Sequence, residues 1–266
     1  MEESQKTLQD PSFRVPLLPA HLLAQARGRL SDRGIDPDQR LGANELGGDV
    51  TTARFYLLLG VVAASEKAGQ GPTYAIARLA LRSGLPSEIA DTVFLAYNQQ
   101  SAEEAGHGDK VFGNAYYAMG GVPTDSSMSV FGDGGASFLE PGPDPRENLQ
   151  RLVEVAAVLG GIETVALQRA LPNVTGLCER WNHPVGNDVI AQIRDVVRPE
   201  ESRHVLNFRY VFHQLIAPAG RPLIDAYFHA TNAGRSQLDA PPLDRDRFAR
   251  TVGASSPTPS QLLGKR

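Results

Sequence analysis

A chain of 266 residues with 41% apolar residues is long enough to bury one large core and has the composition of a folded globular protein. A net charge of −4 and the lack of a polybasic run argue against nucleic acid or an anionic membrane surface as the main partner. The single cysteine, Cys178, excludes an internal disulfide, and the polar opening MEESQKTLQD lacks the pattern of a signal peptide, so a cytoplasmic location without membrane contact is expected.

In chain order, residues 1–16 read as an unstructured lead-in. A short helix is expected over 17–33, stopped by Gly34 and Pro37, within an N-terminal extension that covers 1–48. Asp49 or Thr51 is placed to cap a helix that runs to about Gly69 through FYLLLGVVAASEKA, apolar on every side and so buried on every side. A further short helix is expected over 73–83. Pro86 then opens a long helix through to Met119.

Residues 120–145 contain GG, FGDGG and PGPDP and show no sustained period, so they read as a long loop and a candidate lid. Extended, some 26 residues reach about 86 Å at ~3.3 Å each, enough to run the whole length of a helical bundle. A helix over 147–170 follows, ended at Leu171-Pro172, with a short helix over 174–181. Another long helix covers 186–216, disturbed by Pro199, and a fifth covers 222–232. The bundle domain is thus 49–234, and 235–266 reads as a polar, largely disordered tail. No alternating run is long enough for a sheet, and the fold class is all-α.

One word occurs twice. Residues 103–107 read EEAGH and residues 200–204 read EESRH, 97 positions apart. Glu66 precedes Glu104 by 38 residues, and Glu163 precedes Glu201 by 38 as well. On a helix, positions three apart share a face, so Glu104 and His107 converge on one point, as do Glu201 and His204. Glu163 shares its face with Leu159, Ala166, Leu167 and Ala170, where a lone ionised carboxylate costs several kcal/mol unless it is paired or metal-bound. Taken singly, each of these residues is an ordinary solvated helix position; the shared spacing is what singles them out. Four carboxylates are neutralised by two divalent cations, and mixed carboxylate and imidazole ligation suits iron or manganese. His183, His213 and His229 fall outside the pattern. Tyr97 and Gln100, before Glu104, and Phe208, after Glu201, come near the same point as pocket candidates, with packing the leading role for Tyr97 and Phe208.

The pattern resembles the ferritin-like di-metal carboxylate superfamily: a Glu on each of two helices and Glu-x-x-His on each of two others. The match covers about 50–216 and fills six positions, Glu66, Glu104, His107, Glu163, Glu201 and His204. The resemblance implies a four-helix bundle with a long crossover between helices two and three, plus extra short helices. It also implies that Glu200 holds His107 and Glu103 holds His204, each across to the opposite half.

By the same resemblance the chain is expected to be a non-haem di-iron oxygenase or oxidase. It would use O2 to oxidise a small organic substrate, by amine N-oxygenation or C–H oxidation in small-molecule biosynthesis. Two iron ions are the implied cofactor, with manganese as the variant. An electron donor such as a ferredoxin and its reductase is the implied partner, with a homodimer as the candidate assembly. The alternatives are a dimanganese catalase or peroxidase and a ferroxidase-type metal-binding protein. Gly60, Gly69, Gly106, Gly160 and Gly161 are expected to thin the bundle and leave room for the substrate.

Overall fold

The structure is a computed structural model that describes residues 20–43, 49–122, 129 and 140–263. It is predominantly helical, as the sequence predicts. Helix α1 covers Ala20–Ser31. Strands β1, Arg40–Ala43, and β2, Asp49–Thr51, pair antiparallel; this small ribbon was not expected, because two strands of four and three residues are too short to show alternation. Thr51 caps the next helix, its hydroxyl accepting from the Arg54 amide at 3.4 Å.

Helix α2 is Thr52–Ala80, one unbroken element where the sequence suggests a helix ending near Gly69 and a second short one. It runs through Gly69, Gly71 and Pro72. Proline lacks the amide that would close the turn below it. The Thr73 hydroxyl donates to the Gly69 and Gln70 carbonyls within the same turn, both at 2.9 Å. Helix α3 is Ser87–Gly106. It continues through a π-helical turn, His107–Gly113, into α4, Asn114–Ala118. Of the expected lid, residues 123–128 and 130–139 lie outside the described residues.

Asp144 caps α5, Pro145–Val165, accepting from the Arg146 amide at 2.8 Å, with Pro145 in the first turn. A π turn, Ala166–Ala170, leads straight into α6, Leu171–Trp181. Helix α7 is Pro184–Gln192, followed by a π turn at Ile193–Val197 and α8, Arg198–Val211. A further π turn covers Phe212–Ile216, and α9 is Arg221–Ser236.

Proline was expected to end the helix at Pro172 and to disturb it at Pro199, and neither breaks the rod. Pro172, Pro199 and Pro218 each sit two residues past a π turn. A π turn is one residue wider than an α turn, so it makes room for the ring and leaves a carbonyl that needs no amide from the proline.

The tail reading is corrected. Residues 245–263 are ordered: α10, Arg245–Val252, is capped by the Asp244 side chain, and α11, Pro259–Leu262, carries a Thr258/Gln261 capping box. Phe248 packs edge-on against Phe212 and Phe228, with centroids at 5.7 and 5.2 Å, and Val252 and Leu262 are buried beside it. The segment is polar because only every third or fourth residue reaches the core, a pattern of low overall hydrophobicity that still docks.

Helices α2, α3, α8 and α5 form a closed ring of neighbours, and α9 lies on the outside of α5. Paired contacts run in opposite senses along α2 and α3: Gln70 meets Ser101, and Glu66 meets His107. They do so along α3 and α8 too, with Gln100 against Asn207 and His107 against Glu200, so these neighbours are antiparallel. Gly161 and Gly234 let α5 and α9 touch backbone to backbone: a methyl at either would run into a carbonyl oxygen of the other helix, Thr231 or Val158.

Two apolar clusters fill the interior. One gathers Phe55, Leu59, Phe112, Met119, Leu177 and Trp181; the other gathers Ile76, Tyr97, Leu152, Phe208, Tyr227 and Phe248. Along α2, along α3 with its π turn, along the α5–α6 rod, and along α8 with the π turn before it, the chain passes from one cluster to the other at the acidic positions. No helix among the described residues is long and apolar enough to cross a membrane.

Because α10 closes the second cluster, Phe248→Ala is expected to destabilise the fold by about 3–5 kcal/mol, as for a large buried aromatic. Urea denaturation measures it; a change below about 0.5 kcal/mol is what a loose tail would give.

Candidate metal centre

The six positions singled out by spacing converge. Glu104, His107, Glu163, Glu201 and His204 are each buried to 6% exposure or less, and Glu66 is partly buried. Two overlapping groups of ligand atoms result, all within 4.8 Å of one another inside each group: Glu66, Glu104, His107 and Glu201, and Glu104, Glu163, Glu201 and His204. Each group could hold a metal ion. Glu104 and Glu201 belong to both. One Glu201 oxygen lies 3.3 Å from His107 Nδ1 and the other 3.3 Å from His204 Nδ1, so this carboxylate stands between the two imidazoles.

The orientation of the rings is fixed from behind. His107 Nε2 meets Glu200 at 2.7 Å, and His204 Nε2 meets Glu103 at 3.0 Å. Each outer carboxylate accepts the Nε2 proton, which leaves Nδ1 turned inward as the ligand atom. His107 Nδ1 is 3.2 Å from Glu66, and His204 Nδ1 is 3.2 Å from Glu104. The crossed pairing of Glu200 with His107 and of Glu103 with His204 is the one the doubled glutamates imply.

Sequence reasoning missed two members of the outer layer. Arg203 donates to Glu103 at 2.6 Å and lies 3.6 Å from Glu200, so one guanidinium serves both outer carboxylates. Asn207 donates to the Gln100 carbonyl oxygen at 3.0 Å, and the Gln100 amide donates to Glu163 at 2.8 Å and Glu104 at 3.4 Å. Asn207 lies three residues past His204 and so shares its face, a signal present in the sequence; Arg203 carries none, because its counterpart in the first word is Gly106.

Of the three pocket candidates, only Gln100 touches the carboxylates. Tyr97 and Phe208 lie in the second apolar cluster, and Phe208 stacks on Tyr227 at 5.1 Å. The room expected at the glycines is largely filled. Phe208 occupies the space beside Gly160, α9 closes over Gly161, and the Glu104 carboxylate lies against Gly69; Gly106 alone of these has open space where a side chain would start.

The charges follow from the burial. Removal from water pushes Glu66 up to about 8, with Glu104 and Glu201 adding to it against a hydrogen bond from His107. Burial together with Glu201 and Glu104 raises Glu163 as well. Glu201 goes the other way: burial would raise it, but His204 and His107 hold it well below the carboxylate range. Burial would lower His107, yet Glu200, Glu201 and Glu66 outweigh it and push the ring up to about 12. Glu103 is held at about 2, because His204, Gln99 and Arg203 overcome the effect of its burial. In this state, protons on the imidazoles stand in for cations among the acids.

The residues fit a bound metal. His204 Nδ1 and a Glu201 oxygen are fully buried, face each other and have no hydrogen-bond partner. Such unpartnered polar atoms in a buried site are rare without a ligand to satisfy them.

Glu103→Gln should weaken metal binding about 10- to 100-fold, because the amide no longer fixes the His204 proton. Equilibrium dialysis with Co(II) reads the change, and an unaltered affinity would show that Glu103 does not orient His204. Metal must also displace protons. A raised carboxylate such as Glu66 favours folding fully below its ordinary value of 4.5 and loses that contribution as pH rises through about 8. Metal affinity runs oppositely and climbs toward pH 8, by about tenfold per pH unit for each proton displaced. Calorimetric Co(II) titration at pH 6.5 and 8.5, in buffers of different ionisation enthalpy, should show more protons released at the lower pH; equal release would remove Glu66 from the ligand set.

Comparison of the chain with known protein families, with curated proteins and with solved structures returns no match, so the functional reading rests on the geometry itself.

Proposed function

We propose that the chain is a ferritin-like di-iron protein that oxidises a small organic substrate with O2. One observation carries the reading: two buried Glu/His groups share Glu104 and Glu201, and each imidazole is held from behind by a carboxylate of the opposite half. The ring of four helices and the long connection between α4 and α5 support the same fold. Glu66 and His107 would hold one iron, Glu163 and His204 the other, and Glu104 and Glu201 would face both.

Iron in these positions supplies electrons to O2. The chain does the rest. Glu103 and Glu200 keep the Nε2 protons in place. Asn207 orients the Gln100 amide, which donates to a carboxylate oxygen of Glu163. The two apolar clusters above and below exclude water, which strengthens every charge interaction in the site. Oxygenation consumes one O2, two protons and two electrons from an external donor of the ferredoxin and reductase type. One oxygen atom goes to the substrate and the other leaves as water.

A second reading is a manganese protein that disproportionates peroxide. The filling of the space beside Gly160 and Gly161 favours it, since hydrogen peroxide needs far less room than an organic molecule.

The deciding experiment loads the protein anaerobically with Fe(II), mixes it with O2 and follows oxygen consumption and visible absorption. About two irons per chain and rapid O2 uptake are expected, with uptake lost in Glu201→Ala. Oxygen evolution from peroxide by the manganese-loaded protein, with no O2 uptake by the iron form, would establish the second reading.

A further inference from the structure

Between α3 and α8 the centre is walled by polar side chains. Arg203 and Asn207 follow Glu200 at three and seven residues, one stripe along α8. Glu103 and Gly106 follow Gln99 at four and seven residues, one stripe along α3. The stripes meet: Arg203 donates to Glu103 at 2.6 Å, and Asn207 donates to Gln100, next to Gln99, at 3.0 Å. Gln99 donates to Glu103 from the same helix at 2.7 Å.

Other neighbours in the ring sit closer. A methyl at Gly108 would lie 2.7 Å from the Ala63 carbonyl oxygen, so α2 and the π turn after α3 touch backbone to backbone. Phe208 of α8 fills the space beside Gly160 of α5.

The α3–α8 seam joins the centre to solvent. The side chains of Glu200 and Arg203 are 23% and 22% exposed and that of Glu103 is 13% exposed, while His107 and His204 behind them are at 1% or less. Each outer carboxylate therefore meets water on one side and an imidazole of the centre on the other. Gly106 has open space where a side chain would start. Within the seam, Arg203 Nε and Asn207 Oδ1 are buried and have no hydrogen-bond partner among the described residues. One is a donor and the other an acceptor, one turn apart on one stripe. Buried polar atoms are nearly always satisfied, so this pair calls for water or another polar occupant.

We propose that the α3–α8 seam is the route by which divalent cations reach the centre, and that Arg203 is its gate. The inference rests on the reading of the six Glu and His residues as a metal centre. The Arg203 guanidinium crosses the seam, 2.6 Å from Glu103 and 3.6 Å from Glu200. Ion pairs in contact with water are weak, so this bridge opens readily. An entering cation takes the place of the guanidinium between the two carboxylates, and from there it is one imidazole away from the inner acids.

The metal-free chain is mixed rapidly with Co(II), and the visible absorption of the bound ion gives the rate of uptake; excess EDTA then gives the rate of release. Arg203→Gln, which removes the bridge and its charge, should take up Co(II) about tenfold faster and release it faster as well. Gly106→Leu, which puts a side chain into the open space beside the seam, should slow both steps. Leucine suits a helix better than glycine, so this variant keeps its fold. Arg146→Gln, on the exposed first turn of α5, should leave both rates unchanged. If Arg203 only orients His204 through Glu103, Arg203→Gln quickens release and leaves uptake at the parental rate, and that result overturns the proposal. Uptake by Gly106→Leu as fast as by the parent overturns it too. A parent chain that binds no Co(II) removes the metal reading and the gate together, whereas normal binding with unaltered uptake in both variants removes the gate alone.

Discussion

The structure is organised around one cost: four carboxylates converge in the interior. Glu104, Glu163 and Glu201 are almost fully enclosed, and Glu66 is partly buried. Like charges this close repel strongly in a medium of low polarity. The arrangement persists because each acid faces an imidazole nitrogen or an amide, and because each imidazole has an acid behind it. Removing any inner partner leaves a charge buried without compensation, which is costlier than never having buried the pair. The apolar clusters serve this seam rather than the reverse. They lie on either side of it along all four ring helices, so the hydrophobic effect clamps the polar layer from both ends.

Turns of π-helix punctuate the rods near that seam. One begins at His107, one starts three residues after Glu163, and one ends four residues before Glu201. Each inserts a residue and so rotates everything downstream by about a hundred degrees relative to a regular helix. Ligand faces and core faces can then be set independently on one rod. The prolines that follow three of the four turns are consistent with this, since the wider turn is what lets the ring be carried within the rod.

The convergence of the six Glu and His residues was legible in the sequence because its signal is a spacing, and spacing survives translation into helix faces. Gln100 was legible for the same reason, lying one turn before Glu104. The connectivity was less legible. Gly69 and Pro172 read as helix ends, since nothing local announces that α2 runs on to Ala80 or that a π turn absorbs Pro172. Residues 245–263 read as disordered because their composition is polar, while the docking of Phe248, Val252 and Leu262 depends on partners in α8 and α9 that lie far away in sequence. The glycines were read as empty space. Gly160 and Gly161 are instead where Phe208 and α9 press closest, a long-range complementarity that no window of residues reveals.

The two halves repeat a word but not its surroundings. At the offset of 97, Arg203 answers to Gly106, Gln100 to Val197 and Asn207 to Lys110. One half therefore supplies the guanidinium that bridges both outer carboxylates, and the other half leaves the matching position bare. The Gln100 amide steadies Glu163, while among the described residues Glu66 has no such amide partner, and its side chain is 16% exposed against 8% for Glu163. The site is thus stiffer and drier on the Glu163 side and more accessible on the Glu66 side. A carboxylate with fewer fixed hydrogen bonds loses less when it changes position, so Glu66 is held less firmly than Glu163.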